Sequence, residues 1–334
     1  ILYNVPDLKT WGFMAFVLLA LIAFNELGRT KKWGGILLFV IVPLVLTIAI
    51  WPTTAAPGNE YGTGNWFNWV KTYSALAGCI GFMLIRFFPK IEHSKFAMYF
   101  PPIILAANIC EAVMRDFQVF SWGLTEGGYV DNLWTISGPW NVMNGIAGLI
   151  NIFCMTGWWA VYSSKDKKDM IWPDMIWVYI LVYDVWNFAY TYNCLPTHSW
   201  FCGVALLLAP TIAALCWNKG GWIMNRANTL CVWCMFAQVF PLFQETMSDG
   251  TQIYPWATLT KQYADGTLNG IAAGTSVNAD PTAMTIVSAT ALIVNVIALA
   301  YIIYKSVKTK TNPYKGEIFT DFRYYKAAAD RSNM

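Results

Sequence analysis

Residues 97–117 read AMYFPPIILAANICEAVMRDF, a mostly apolar run with a few polar side chains embedded in it. A bilayer core about 30 Å thick is crossed by about 20 mostly apolar helical residues, so this run predicts a membrane-spanning helix. Asn108, Glu111 and Arg115 follow one another at i, i+3 and i+7 and therefore share one helical face, with Asp116 beside them. Ionisable groups at membrane depth usually face the interior of a bundle or a cavity, so this face is a candidate site.

The composition of the whole chain agrees with a membrane protein. Of its 334 residues, 57% are hydrophobic, 16% aromatic and 12% charged, whereas soluble domains contain about 25% charged residues. This excludes an ordinary soluble domain, and the many aromatic rings exclude a disordered chain. A net charge of +3 gives no support for a nucleic-acid partner.

The length rule predicts an all-α bundle of about nine transmembrane helices within residues 1–305. An outer loop at 244–283 is expected to form a small cap, and residues 306–334 a basic, aromatic cytoplasmic tail. The predicted spans are 9–27, 33–51, 66–88, 97–117, 139–162, 170–192, 199–217, 222–243 and 284–305.

The basic residues between the spans predict the orientation. Eighteen Lys and Arg residues fall in connections 1–2, 3–4, 5–6 and 7–8 and in the C-terminal segment, with Arg226 counted in connection 7–8. Four fall on the opposite side, namely Lys9, Lys71, Arg115 and Lys261. Positive residues mark the cytoplasmic side, so we expect the N-terminus outside and the C-terminus in the cytoplasm.

A second helix repeats the polar pattern of the first. Asp184, Asn187 and Thr191 share one face of the sixth predicted span. Glu111 and Asp184 each lie 14 residues from the inner end of their span, about 21 Å at 1.5 Å per residue. The two carboxylates are therefore expected at matching depth in the outer half of the membrane.

Further polar residues on neighbouring spans favour one interior cavity. Asn141 and Asn144 form a stripe on the fifth span, and Lys71 lies near the outer end of the third. If the charged groups share the cavity, their sum is −1, which favours a cation, a proton or an amine-bearing solute. The predicted binding residues are Glu111, Asp184, Asn187, Asn144, Lys71, Arg115, Asp116 and Asn141.

Structural roles compete with this interpretation. Glu111 and Arg115 are spaced i, i+4 and could pair with each other, and amides such as Asn141 and Asn144 often hold membrane helices together. Cys194 and Cys202 flank an outer connection and could form a disulfide in an oxidising compartment. The cysteine spacing shows no zinc or haem pattern, so no metal or cofactor is predicted.

Several residue pairs along the chain carry a resemblance: Asn25-Glu26, Cys110-Glu111, Arg115-Asp116, Trp140-Asn141 and Asn144-Gly145. The chain resembles, over nearly its whole length, a family of polytopic bacterial membrane proteins known only as a domain of unknown function. The resemblance implies a bacterial inner membrane and supplies no activity.

The sequence therefore predicts a transporter for a small cationic or amine-bearing solute or ion, with proton or cation coupling as one form. The alternatives are an ion channel, a membrane enzyme at the outer face that uses Glu111, Asp116 or His198, and a non-catalytic subunit of a membrane complex. The expected partners are membrane lipids and the solute, together with further copies of the chain or the other subunits of a complex.

Overall fold

The computed structural model describes residues 8–59, 62–131, 133–195, 199–240 and 281–334. Within these ranges the chain is mostly helical, with two short antiparallel β-hairpins. The prediction of a helical chain with several membrane-length helices is confirmed. His198, Lys261 and nearly all of the predicted outer cap lie outside the described residues.

Thirteen helices and four short strands follow one another along the described ranges. They are α1 (Leu8–Thr30), α2 (Lys32–Ala49, with a π-helical turn at Leu37–Ile41), α3 (Trp51–Thr54), α4 (Trp66–Phe87), α5 (Pro89–Glu92), α6 (Lys95–Ser121), β1 (Gly128–Val130), β2 (Leu133–Thr135), α7 (Pro139–Phe153), β3 (Tyr162–Ser163), β4 (Met170–Ile171), α8 (Trp177–Cys194), α9 (Ser199–Gly203), α10 (Ala205–Cys216), α11 (Trp222–Trp233, followed by a π-helical turn at Cys234–Gln238), α12 (Pro281–Thr309) and α13 (Arg323–Ala329).

A helix overlaps each predicted span, and within the described ranges five helices are long and apolar enough to cross a membrane: α1, α2, α4, α6 and α12. The prediction placed the ends of the fifth and sixth spans wrongly. Helix α7 ends at Phe153 and α8 begins at Trp177, and the residues between them form the β3–β4 hairpin and its flanking turns. The apolar residues of this connection are buried inside the protein rather than in a membrane-spanning helix. Their hydropathy is as high as that of a span, and the length rule therefore took them for parts of two spans.

The helices place apolar side chains outside and amides inside. Leu19, Ile48 and Ile297 are 65%, 71% and 62% exposed on α1, α2 and α12. Asn144 and Asn225, by contrast, are fully buried. Exposed apolar surface of this extent marks a membrane or protein contact, and interhelical amide contacts are typical of membrane helices.

The C-terminal segment folds onto the connection between α7 and α8. The Gly157 amide donates to the Pro313 carbonyl at 2.7 Å, and the Asn333 amide donates to the Ser163 carbonyl at 2.9 Å. Asp174 Oδ1 accepts bonds from the amides of both Ile318 and Phe319. Residues 310–334 are therefore part of the folded body rather than a separate tail.

The basic connections meet at one end of the bundle, around the buried carboxylate of Asp169. Arg29, at the end of α1, donates to both of its oxygens at 3.0 Å. Arg331, in the C-terminal segment, donates at 2.6 Å, and Asn218, between α10 and α11, donates at 3.2 Å. Arg86, near the end of α4, is 3% exposed and donates to the backbone carbonyls of Lys167 and Lys168 in the β3–β4 hairpin.

Candidate functional site

Lys71 and Glu111 form an ion pair between α4 and α6. The Lys71 Nζ to Glu111 Oε2 distance is 3.4 Å, and the ammonium also contacts the backbone and side-chain oxygens of Asn108 at 2.8 and 2.9 Å. Ser74 donates to the same Glu111 oxygen at 3.0 Å. Glu111 therefore has a cation from a neighbouring helix, and Lys71 is fully satisfied.

The pairing of Glu111 with Arg115 that the i, i+4 spacing suggested is not formed. Arg115 Nη1 instead donates to Gln118 Oε1 at 2.9 Å. The guanidinium lies over the rings of Phe67 and Trp122, at 5.8 and 4.8 Å from their centroids. Arg115 is 5% exposed and is held by π faces and an amide at the end of α6.

Asp116 is fully buried among neutral donors from α7 and α8. Asn144 Nδ2 donates to Oδ2 at 2.7 Å, and Asn141 Nδ2 and Cys194 Sγ contact Oδ1 at 3.5 and 3.2 Å. The ion pairs of the described residues do not include Asp116. A carboxylate held in this way has hydrogen bonds but no contacting cation.

The two cysteines considered for a disulfide are both free in the structure. Cys194 and Cys202 are each buried, and the Cys194 thiol is occupied by its contact with Asp116. Among the described residues, moreover, no group of three or more His, Cys, Asp or Glu side chains could hold a metal ion.

Asp184 lies apart from these residues, at the edge of a cavity of about 470 Å³ between α8, α10 and α12. Thr211 Oγ1 donates to Asp184 Oδ2 at 2.6 Å, while the buried Oδ1 has no hydrogen-bond partner. The rest of the lining is apolar apart from one threonine: Val185, Phe188, Gly203, Val204, Leu207, Leu208, Ile286, Val287 and Thr290.

Asn187 does not share that cavity and instead contacts Arg226 on α11. Arg226 Nη2 lies 3.4 Å from Asn187 Oδ1, and Arg226 Nε donates to the Tyr183 hydroxyl at 3.2 Å. Arg226 was expected in the cytoplasmic connection 7–8, but it is 4% exposed inside the bundle. The polar run Asn225-Arg226 with Asn228-Thr229 was the signal that could have placed it there.

The structure thus divides the predicted residues into separate groups. Lys71 and Glu111 pair at α4 and α6, whereas Asp116, Asn141 and Asn144 form a cluster between α6 and α7. Asp184 faces the α8–α10–α12 cavity. The expected sharing of one cavity by Glu111, Asp184 and Lys71 is not observed, because each carboxylate faces a different neighbouring helix.

A network of amides joins α1 and α11 to Asp169. Asn25 Nδ2 donates to Asn225 Oδ1 at 3.1 Å, and Asn228 Nδ2 donates to Asn25 Oδ1 at 3.0 Å. Asn218, which donates to Asp169, also donates to Asn225 Oδ1 at 2.9 Å. Because these amides bond to one another, they link α1 to α11.

Comparison with known proteins gives a family but no activity. A model described as a family of unknown function (DUF5692) matches residues 6–331. No curated protein and no solved structure matches the chain.

Proposed function

We propose that this chain, which belongs to that family of unknown function, is a membrane transporter for a small cationic or amine-bearing solute, and that Asp184 binds the positive group. The family match and the membrane-length helices support a membrane protein. Because the family has no assigned activity, the support for a function comes from the residues of the site.

Our proposed topology has nine crossings, with the N-terminus outside and the end around Asp169 in the cytoplasm. Connections 1–2, 5–6 and 7–8 and the C-terminal segment meet at this end, where Arg29, Asn218 and Arg331 contact Asp169. An accumulation of Lys and Arg is typical of the cytoplasmic side. The membrane we propose is a bacterial inner membrane.

The observation that carries the transport proposal is the unpartnered oxygen of Asp184. Its Oδ1 is buried without a hydrogen bond at the edge of the α8–α10–α12 cavity. Leaving a buried carboxylate oxygen unsatisfied costs free energy that a ligand can recover. A protonated amine supplies the missing donor and the opposite charge.

The volume and the lining of the cavity indicate which class of solute fits. About 470 Å³ falls within the range of small-molecule pockets, and the walls around Asp184 are mainly apolar. A solute with one cationic group and a short aliphatic body fits both features. A strongly hydrated inorganic ion would leave the apolar walls without a contact.

We propose that Asp116 binds the proton or small cation that is coupled to transport. Lys71 and Glu111 form an ion pair that we expect to hold α4 and α6 in position. Asp116 contacts only neutral donors, so a proton or small cation can join it without displacing an ion pair. Glu111, by contrast, already has the ammonium of Lys71 at 3.4 Å. The solute and the coupling ion would therefore occupy separate places in the bundle.

Uptake into proteoliposomes tests the proposal. The probe is labelled butylamine, with unlabelled butylamine as the cationic competitor and butan-1-ol as the neutral one. We expect saturable uptake by the wild-type protein that unlabelled butylamine inhibits and butan-1-ol does not. Asp184→Asn should abolish it, because the amide keeps the shape of the side chain and removes its charge.

A matched control removes a carboxylate elsewhere. Asp166→Asn changes a side chain that is 53% exposed in the β3–β4 hairpin, and uptake should survive this change. Normal uptake by Asp184→Asn would refute the assignment of the site. Uptake that does not saturate and persists in both variants would favour the channel alternative.

A further inference from the structure

Arg226 is a buried guanidinium whose hydrogen bonds go to neutral groups. Its Nε contacts the Tyr183 hydroxyl and its Nη2 contacts Asn187 Oδ1, both on α8. The ion pairs of the described residues do not include it. The third nitrogen, Nη1, is buried and has no hydrogen-bond partner.

A small cavity lies beside this guanidinium, between α4, α6 and α11. Its volume is about 30 Å³, and Arg226, Ser74 and Asn108 provide its polar lining. The remaining lining residues are apolar: Ala75, Gly78, Phe82, Ile104, Leu105, Ile223, Ala227 and Leu230. The volume accommodates one water or one ion of similar size.

The geometry of the guanidinium leaves Nη1 available on the side away from α8. Nε and one Nη nitrogen form one edge of the planar fork, and in Arg226 that edge faces Tyr183 and Asn187. Across the cavity, the donor contacts of the Asn108 amide with Ser74 and Glu111 are both 3.5 Å, the outer limit for a hydrogen bond. The Nδ2 donors of Asn108 are therefore only weakly engaged, while its Oδ1 stays bound to Lys71, and a ligand in the cavity can accept from Nδ2.

The charges around the cavity favour an anion over a water molecule. Lys71 and Glu111 form an ion pair. Asp184 on α8 acts on Arg226 through space, but none of the ion pairs of the described residues joins the two. A buried guanidinium without a contacting anion is unfavourable, and an anion at Nη1 would supply that contact, whereas a water molecule would not.

We infer that the cavity between α4, α6 and α11 binds one small monovalent anion, a halide in size, through Arg226 Nη1 and the Asn108 amide. The apolar lining excludes larger oxyanions such as sulfate, which require more donors than the cavity supplies. This cavity and the amine site at Asp184 have no lining residue in common, although the charges of Asp184 and Arg226 act on each other through space.

Bromide provides a direct test on the full-length protein. Crystals grown in sodium bromide should show an anomalous peak within hydrogen-bond distance of Arg226 Nη1 and Asn108 Nδ2. No peak there at saturating bromide would overturn the inference.

Thermal unfolding in detergent provides the second test. Sodium chloride should raise the unfolding midpoint relative to sodium gluconate at equal ionic strength. At chloride a hundredfold above its dissociation constant, the unfolding equilibrium constant should fall about 100-fold. Arg226→Gln should abolish this difference.

Arg115→Gln is the matched control, since it removes another buried guanidinium, one that does not line the cavity. The chloride response should persist in it. A response that survives Arg226→Gln or disappears in Arg115→Gln would contradict the site. Should Arg226→Gln fail to fold, Asn108→Leu must weaken the response, and an unchanged response would count against the inference. Failure of amine uptake would leave these results unaffected.

Discussion

Replacement of Asp169 by Asn should destabilise the folded protein more than any change to an exposed carboxylate. Asp169 is fully buried and accepts hydrogen bonds from Arg29, Arg331 and Asn218. The substitution keeps the shape of the side chain, removes its charge, and leaves two guanidinium groups without their common carboxylate.

The loss of stability in Asp169→Asn can be estimated from the contacts of Asp169 with Arg29 and Arg331. Removing one partner of a buried ion pair costs about 3–5 kcal/mol. The side chains of Arg29 and Arg331 are 11% and 29% exposed, so water compensates part of the loss. We therefore expect the free energy of unfolding to fall by about 3 kcal/mol, at the lower end of that range.

The assay is equilibrium unfolding in detergent, followed by tryptophan fluorescence. A double-mutant cycle of Asp169→Asn with Arg331→Gln should give a coupling energy of about 1–2 kcal/mol, as expected for residues in one network. Asp166→Asn should change stability by less than about 0.5 kcal/mol. Equal effects of Asp166→Asn and Asp169→Asn, or additivity of the Asp169 and Arg331 variants, would refute this account of the buried cluster.

Three further outcomes are expected. Burial raises the pKa of Glu92, but hydrogen bonds from Lys167 and Ser163 outweigh it together and lower the pKa below its ordinary value of 4.5. The ionised Glu92 therefore stabilises the fold above that value, and the effect is lost as the pH falls through the lowered pKa; an acid titration of the unfolding midpoint should be flatter in Glu92→Gln. Asp174→Ala removes the acceptor of two backbone amides in the C-terminal segment, so trypsin should cleave at Lys315 faster than in wild type, and an unchanged rate would argue against docking. Gly148→Ala would place a Cβ 2.5 Å from a Val113 methyl group and should cost about 1–3 kcal/mol of stability, measurable by thermal unfolding; a neutral effect would show that α6 and α7 can move apart.

Hydropathy located the helices because a spanning helix needs a long apolar run whatever it packs against. Helices overlap every predicted span, and the run at 97–117 lies within α6. The same rule failed between Phe153 and Trp177, where apolar residues are buried in a folded connection. Hydropathy reports burial in any apolar environment, and a protein interior resembles a bilayer in this respect.

The spacing of polar residues in the sequence predicted which of them share a helical face. It did not predict which residue of a neighbouring helix each one contacts. The i, i+4 rule suggested Glu111 with Arg115, whereas the structure pairs Glu111 with Lys71 on another helix. Interhelical contacts depend on the rotation and crossing of both helices, which one chain's local spacing does not determine. A single shared cavity was expected from matching depths, yet depth alone leaves open which neighbour a side chain faces.

Arg226 shows most clearly that sequence position alone does not determine whether a side chain is buried. Near the end of a span, an arginine can extend to the aqueous interface or turn into the bundle, and the count of basic residues treats both cases alike. Tyr183 and Asn187 on α8 hold it inside. The inferred anion site therefore depends on a contact between helices that are distant in sequence.

The most direct test of the central claim is equilibrium binding of labelled butylamine to the detergent-solubilised protein, with wild type and Asp184→Asn compared. Removing one partner of a buried, hydrogen-bonded charge pair costs about 2–5 kcal/mol, so the dissociation constant should rise at least about 30-fold in the variant. Asp166→Asn should bind as the wild type does. Equal affinity of wild type and Asp184→Asn would contradict the assignment of Asp184 as the group that binds the solute.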